Sequence, residues 1–247
     1  VGPETVIPML PSQLDPKWWH AVLDRFHQPG RFALLGMPLG NDDDGYTNSA
    51  VGLSAASAAL PDGFYRYDKH HLVPFGEFIP TGFHWFTRLM NIPLGDFNRG
   101  PVTAPSFVVK GERVAPNICY EDLFGEELAA RFVPAASAPT ILANISNVGW
   151  FGETIVPQHL QISRMRTLEL QRPMIRATNT GATVVIDHRG VVTAQLAPFT
   201  RGMLEARVEG RSGTTPFAWW AGRVGLWPLV FLGGLVLVAA FASRSRP

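Results

Sequence analysis

The sequence predicts an α/β layered sandwich followed by a C-terminal membrane-spanning helix. Short apolar runs joined by tight turns predict strands paired in hairpins. Two longer segments with helix start and stop signals predict the helical layers. Val224 to Ala242, 19 residues without a charge, is close to the ~20 residues a spanning helix needs. Hairpins interleaved with two long helices favour a layered sandwich over a purely βαβ winding.

In chain order, Val1 to Pro8 reads as the end of a strand meeting a loop, with an acid, Glu4, set among apolar residues. Asp15 is a natural N-cap with Pro16 at the first helical position. Trp19, Val22, Leu23 and Phe26 then share one face, and Pro29-Gly30 stops the helix. Arg31 to Met37 is a short strand. Asn41 to Gly45 faintly resembles a calcium loop, but aligning Gly45 with that motif's glycine puts Gly40 and Val51 where carboxylates are needed, so a turn is expected. Asn48 to Ser57 and Gly63 to Tyr67 flank the turn Pro61-Asp62-Gly63. Gly82 to Leu94 is aromatic-rich without strand or helix period, a loop that either packs in a core or, as expected here, forms a lid that meets something apolar. Ser106 to Val109 and Arg113 to Ile118 form a hairpin turning at Lys110-Gly111-Glu112. Thr140 to Ile145 is a buried strand. A helix follows with Pro157 at its start, Ile162, Met165 and Leu168 spaced by three, and Pro173 beyond its end. Met174 to Ala177, Thr183 to Asp187 and Val191 to Leu196 complete the strands.

The expected organisation is a globular unit over 1–210, a linker over 211–223, the span over 224–242 and a tail over 243–247. A length of 247 residues suits one sizeable domain plus an appendage. The net charge of +1 offers no basic field, so a nucleic-acid partner is not expected. The single cysteine excludes an internal disulfide framework. Arg244 and Arg246 place the tail in the cytoplasm by the positive-inside rule, with Arg223 a counter-vote on the other flank. The globular unit is then on the outer face.

That cysteine, Cys119, lies where the strand-like run Val114 to Ile118 gives way to a helix-like one with Phe124, Leu128 and Phe132 at intervals of four. Two readings stand: a small buried hydrophobe, or a thiol whose thiolate is favoured by a helix N-terminus. Glu4, Lys69 and Cys119 each close a strand-like segment. Such a set is coherent for acyl transfer, the thiolate attacking a carbonyl carbon, the carboxylate moving the proton, and the ammonium with a backbone N–H near Tyr120 holding the oxyanion. His70, His71 and His159 have no ligand-like spacing with other donors, so neither metal nor cofactor is expected.

Four motifs carry a resemblance: Pro3-Glu4-Thr5-Val6-Ile7-Pro8, Tyr67-Asp68-Lys69-His70-His71-Leu72-Val73-Pro74-Phe75-Gly76-Glu77, Asn117-Ile118-Cys119-Tyr120-Glu121-Asp122, and Asn144-Ile145-Ser146-Asn147-Val148-Gly149-Trp150-Phe151-Gly152. Gln158-His159, Arg164-Met165-Arg166, Glu169 and Arg176-Ala177-Thr178-Asn179 extend it. Together they resemble the nitrilase (carbon–nitrogen hydrolase) superfamily, and within it the membrane-bound branch of apolipoprotein N-acyltransferases. Gly2, where the family usually has tryptophan, and Val148, where it has an acid, depart from the pattern.

The resemblance implies an α-β-β-α sandwich, with Glu4 as general base, Lys69 as the family's lysine and Cys119 as nucleophile. Glu77, Tyr120 and Glu121 match accessory positions, Trp150 an aromatic lining the site. Glu77 and Glu121 are expected to hold Lys69 charged and oriented, or else to be ordinary structural ion pairs. The implied reaction takes an acyl chain from a phospholipid to Cys119 as a thioester, then passes it to the amine of a diacylglyceryl-cysteine apolipoprotein, at a bacterial inner (plasma) membrane with the catalytic domain on the periplasmic side. A small-amide amidase using the same triad, and a non-catalytic membrane-tethered domain, are the rivals. Because Val1 lies only three residues before Glu4, the chain is expected to be the C-terminal portion of a longer protein, or one product of a split gene.

Overall fold

The computed structural model describes residues 1–82, 96–149 and 152–244. The chain forms two β-sheets packed face to face between helical layers, the predicted α-β-β-α order. β1 (Ala33–Asn41), β2 (Gly45–Leu53) and β3 (Tyr65–Asp68) make an antiparallel three-stranded sheet. β4 (Phe107–Val109), β5 (Glu112–Ile118), β6 (Ile141–Ser146), β7 (Met174–Thr178), β8 (Val184–Ile186) and β9 (Val192–Gln195) make a six-stranded sheet in sequence order. Its centre, β5-β6-β7, is parallel, and the flanking pairs are antiparallel.

Side-chain alternation explains the layers. Along β5 and β6, Val114, Ile118, Ile141, Ala143 and Ile145 face the other sheet and pack on Leu34, Ala50 and Tyr67. Ala115 and Leu142 face the opposite way, toward α2 (Gly125–Ala130), α3 (Ile155–Leu170) and α4 (Pro216–Val224). Both faces being covered, all six residues of β6 are buried. On the far side, α1 (Pro16–Phe26) lays Trp19 against Met37, Leu39, Val51 and Leu53. Asp15 caps α1 as expected, its carboxylate accepting from the N–H groups of Lys17 and Trp18. The turn after β1 is held by Asn41 Oδ1, which accepts from the N–H groups of Asp43 and Asp44.

Three expectations are corrected. Met165 and Leu168 of α3 are exposed, and the helix buries His159, Ser163, Thr167 and Leu170 instead. It packs over a polar network, so its apolar spacing did not mark its inner face. The stretch 211–223 is more than a linker. Thr215 caps α4, whose Ala218 and Ala221 are buried against the sandwich. The final helix, α5 (Trp227–Arg244), starts at Trp227, because Gly225 has φ +55 and breaks the chain between α4 and α5. Among the described residues no single helix is long and apolar enough to cross a membrane. Pro216–Val224 and Trp227–Phe241, bent by 83°, meet that requirement together.

Candidate active site

The parallel strands β5 and β6 end side by side, Ile118 opposite Ile145, and deliver Cys119 and Asn147 to the same rim. The crevice beyond the carboxyl ends of parallel strands is where such sheets bind ligands. Here it is a cavity of about 530 Å³ lined by Glu4, Asn48, Lys69, Glu77, Cys119 and Asn147, with Pro38, Val73, Pro74, Phe75 and Phe97 as apolar wall. Glu4, Lys69 and Cys119, spread over more than a hundred residues of sequence, therefore line one cavity.

Glu4 arrives on a segment that runs beside β1. Gly2 N–H donates to Leu34 O and Ile7 N–H to Gly36 O. Gly36 makes the approach possible, since a Cβ there would lie 2.6 Å from Pro3 O and 2.7 Å from Glu4 Cα. Lys69 extends β3 by one bond, its N–H donating to Asn48 O at 2.8 Å. Cys119 follows β5 with φ +58, and Thr5 and Phe75 take φ +50 and +60 on the same cavity wall. Left-handed backbone at non-glycine residues, including a β-branched one, is strain of the kind concentrated at functional sites.

The charges are tightly ordered. Lys69 Nζ donates to Glu77 Oε1 at 2.9 Å and lies 3.5 Å from Glu4 Oε1. Asn48 Nδ2 donates to both of those carboxylate oxygens at 2.7 Å, so one amide bridges the two acids. Glu4 Oε2 accepts the Asn147 N–H at 2.6 Å, and Glu77 Oε2 the Val73 N–H at 2.8 Å. Burial pulls the Lys69 ammonium down, but Glu4 and Glu77 outweigh it and its pKa is raised. It stays charged. Its Nζ also lies 5.7 Å from the centre of the Tyr120 ring, whose hydroxyl donates to Leu72 O.

Two expectations about this chemistry change. The Cys119 thiol is not poised as a thiolate. Burial first, then the Glu4 charge, push its pKa up to about 12, against the pull of Lys69 and the Tyr120 N–H. Cys119 opens only a five-residue 3-10 turn (Cys119–Leu123), too short to supply much dipole. The neutral thiol and the Glu4 carboxylate instead line one cavity as a potential acid–base pair, with Glu4 able to take the proton as sulfur attacks. Glu121, second, does not touch Lys69. Its Oε2 accepts from Tyr67 Oη and the Ile118 N–H, and its Oε1 from the N–H groups of His70 and His71. It pins the segment after Lys69 to the cysteine corner. Burial pushes its carboxyl up against those bonds. Trp150 and nearly all of the 82–94 stretch lie outside the described residues.

Residues missed from sequence are Asn48 and Asn147, which orient the acids, and a buried network of Asp122, His159, Ser163 and Arg176 beneath the cysteine. Asp122, His159 and Arg176 all stand in the quoted motifs, without a role assigned to them there; Ser163 alone had no such signal.

Comparison with known proteins agrees with the geometry. Residues 30–216 match the carbon–nitrogen hydrolase family, a span that takes in Lys69, Glu77 and Cys119. An apolipoprotein N-acyltransferase of Verminephrobacter eiseniae is 58% identical over 234 residues, 92% of this chain and 43% of that protein. That of Ralstonia nicotianae is 52% identical over 247 residues, 100% of this chain and 46% of the relative, so Glu4 falls within the matched region. The chain spans less than half the length of these relatives. Among solved structures, the CN-hydrolase superfamily protein of Xanthomonas campestris superimposes with a TM-score of 0.53 at 17% identity, covering 87% of this chain and 74% of that one. An amidase from Nesterenkonia sp. AN1 gives 0.54 at 18% identity, covering 79% and 65%. Those likenesses establish the fold. From the family match and the shared sandwich, the chain belongs to the carbon–nitrogen hydrolase family.

Proposed function

We propose that this chain carries the catalytic centre of an apolipoprotein N-acyltransferase. Cys119 Sγ attacks the ester carbonyl of a phospholipid while Glu4 takes the thiol proton. Lys69 Nζ and the Tyr120 N–H hold the oxyanion, and the lysophospholipid leaves with the proton. The amine of a diacylglyceryl-cysteine apolipoprotein then attacks the thioester, its proton passes to Glu4, and an amide forms as the thiol is restored. The observation that carries the reading is the convergence of Glu4, Lys69 and Cys119 on one cavity whose remaining wall is largely apolar. An acyl chain suits that wall, and a small polar amide has no use for it.

The high identity to relatives bearing that name supports the substrate pair. The apolar α4–α5 pair supports a protein held at a membrane. That the membrane is the bacterial inner one, with the site on its periplasmic face, belongs to the proposal through the motif resemblance and the positive-inside vote of Arg244 and Arg246. Trp150 and the 82–94 lid belong to the proposal by motif and composition.

Incubating the complete gene product with phospholipid vesicles alone tests this. A thioester must be shielded from water until the amine arrives, so a fatty-acyl mass increment should persist on Cys119. It should be lost with hydroxylamine and in Cys119→Ala, and be discharged by a diacylglyceryl-cysteine peptide. No adduct from phospholipid, together with turnover of small amides to acid and ammonia, would make the protein an amidase.

A further inference from the structure

Two side chains reach the carbonyl oxygen of Cys119 from the helical side of the sheet. Asn144 Nδ2 donates to it at 2.8 Å, and His159 Nε2 lies 3.2 Å away. Asn144 is itself fixed, giving a second N–H to Asn117 Oδ1 at 2.6 Å and accepting from Ser146 Oγ. His159 is equally constrained. The Arg176 guanidinium, which only donates, lies 2.7 Å from His159 Nδ1. Nδ1 must therefore offer its lone pair, which leaves the ring hydrogen on Nε2. That hydrogen is shared between Cys119 O and Asp122 Oδ1 at 3.1 Å. Asp122 Oδ2 accepts from Ser163 Oγ at 2.5 Å and from Arg176 Nη1 at 3.4 Å, and Arg176 Nη1 also donates to Ser163 Oγ. All four side chains are buried, so the tautomer is enforced on every side.

A trans peptide points its C=O and the following N–H in opposite directions. With the oxygen of Cys119 held toward β6 and α3, the N–H of Tyr120 is turned the other way, toward the thiol, whose pKa it pulls down. The φ of +58 at Cys119 is a left-handed conformation of the kind that persists only where neighbours over-determine it. We propose that His159, as the Nε2–H tautomer, acts with Asn144 as a positioning residue that locks the Cys119–Tyr120 peptide with its N–H toward the reacting carbonyl. The backbone half of the oxyanion site is thus held from behind the sheet by residues that touch no substrate. The inference rests on the reading of Cys119 as the acyl-accepting nucleophile.

An activated p-nitrophenyl acyl ester tests it in the complete gene product, because the nitrophenolate burst reports acylation of Cys119 whatever the natural donor. His159→Leu should slow the burst by roughly tenfold to a hundredfold, up to the cost of one oxyanion donor, with the ester concentration at half-saturation unchanged. His159→Gln, whose terminal amide reaches the same oxygen, should recover most of the rate. Folded His159→Leu protein acylating at the wild-type rate, or a Gln variant as slow as the Leu one, would overturn the clamp. If His159→Leu does not fold, the 15N spectrum of histidine-labelled wild type decides, with His159→Gln giving the assignment. A protonated Nε2 with a bare Nδ1 is expected, and a protonated Nδ1 would overturn the proposal. A wild-type protein without any Cys119-dependent burst would instead overturn the acyl-transfer reading, and the tautomer measurement would still test the clamp.

Discussion

The backbone N–H of Asn147 donates to Glu4 Oε2 at 2.6 Å, across 143 residues of sequence. It joins the end of β6 to the segment beside β1, and so fixes the carboxylate against the strand rim from which the thiol projects. Glu4 Oε1 is meanwhile held by Asn48 Nδ2. Both oxygens accept, and a glutamine can offer only one acceptor there. Glu4→Gln should therefore remove the base and disturb the site, lowering acylation by about 10²–10⁴-fold, the range for general acid–base groups. Single-turnover transfer from phospholipid, with melting temperature as the folding control, measures it.

The thiol itself makes a prediction of opposite sign. Its pKa near 12, against a reference of 9.0, means that the neutral form persists well above physiological pH. Three units cost about a thousandfold in thiolate, and greater intrinsic nucleophilicity returns roughly twentyfold. Iodoacetamide should thus label folded Cys119 roughly fiftyfold more slowly than the unfolded chain at neutral pH. Labelling should still be climbing at pH 10, where the unfolded thiol has levelled. Because Glu4 raises this pKa and Lys69 lowers it, Glu4→Gln should speed alkylation while slowing acyl transfer, and Lys69→Met should slow both. Parallel changes in the two assays for Glu4→Gln would mean that burial alone sets the thiol.

Gly36 supports the site without entering it. Its added methyl would press on Pro3 O and Glu4 Cα, both backbone, so the Glu4 segment must shift. A displacement near 1 Å at a catalytic group costs on the order of 10²-fold. Gly36→Ala should lose that much turnover while phospholipid binding and Cys119 labelling stay close to wild type. Unchanged turnover would show that the segment slides without moving the carboxylate.

The parts legible in sequence were those with local signals. Asp15 and Pro16 announced α1, Lys110-Gly111-Glu112 announced the β4–β5 hairpin, and the charged motifs announced Glu4, Lys69 and Cys119. What escaped depends on the tertiary partner. α3 buries His159 and Ser163 because Asp122 and Arg176 lie beneath them, and no periodicity in α3 alone encodes that. The thiol was misjudged for a related reason: a helix start is visible in sequence, whereas the burial and the Glu4 charge that outweigh it are not.

Glu121 shows the same limit and gives the last prediction. Adjacent to the cysteine and acidic, it invited pairing with Lys69, but its two oxygens take four donors: Tyr67 Oη, and the N–H groups of Ile118, His70 and His71. In Glu121→Gln one oxygen becomes an NH₂ group, which faces two of those donors and can accept from neither. Hydrogen bonds to a charged group are worth about 1.5–3 kcal/mol each, so stability should fall by roughly that amount or more. Lys69, already neutralised by Glu77 and Glu4, should keep its charge. The variant should therefore melt earlier and turn over more slowly, because the chain after Lys69 loosens from the cysteine corner. Its Cys119 alkylation should nonetheless keep the wild-type pH dependence, whereas Glu77→Gln should shift it. A shifted alkylation profile in Glu121→Gln, with stability intact, would return Glu121 to the role of partner to Lys69.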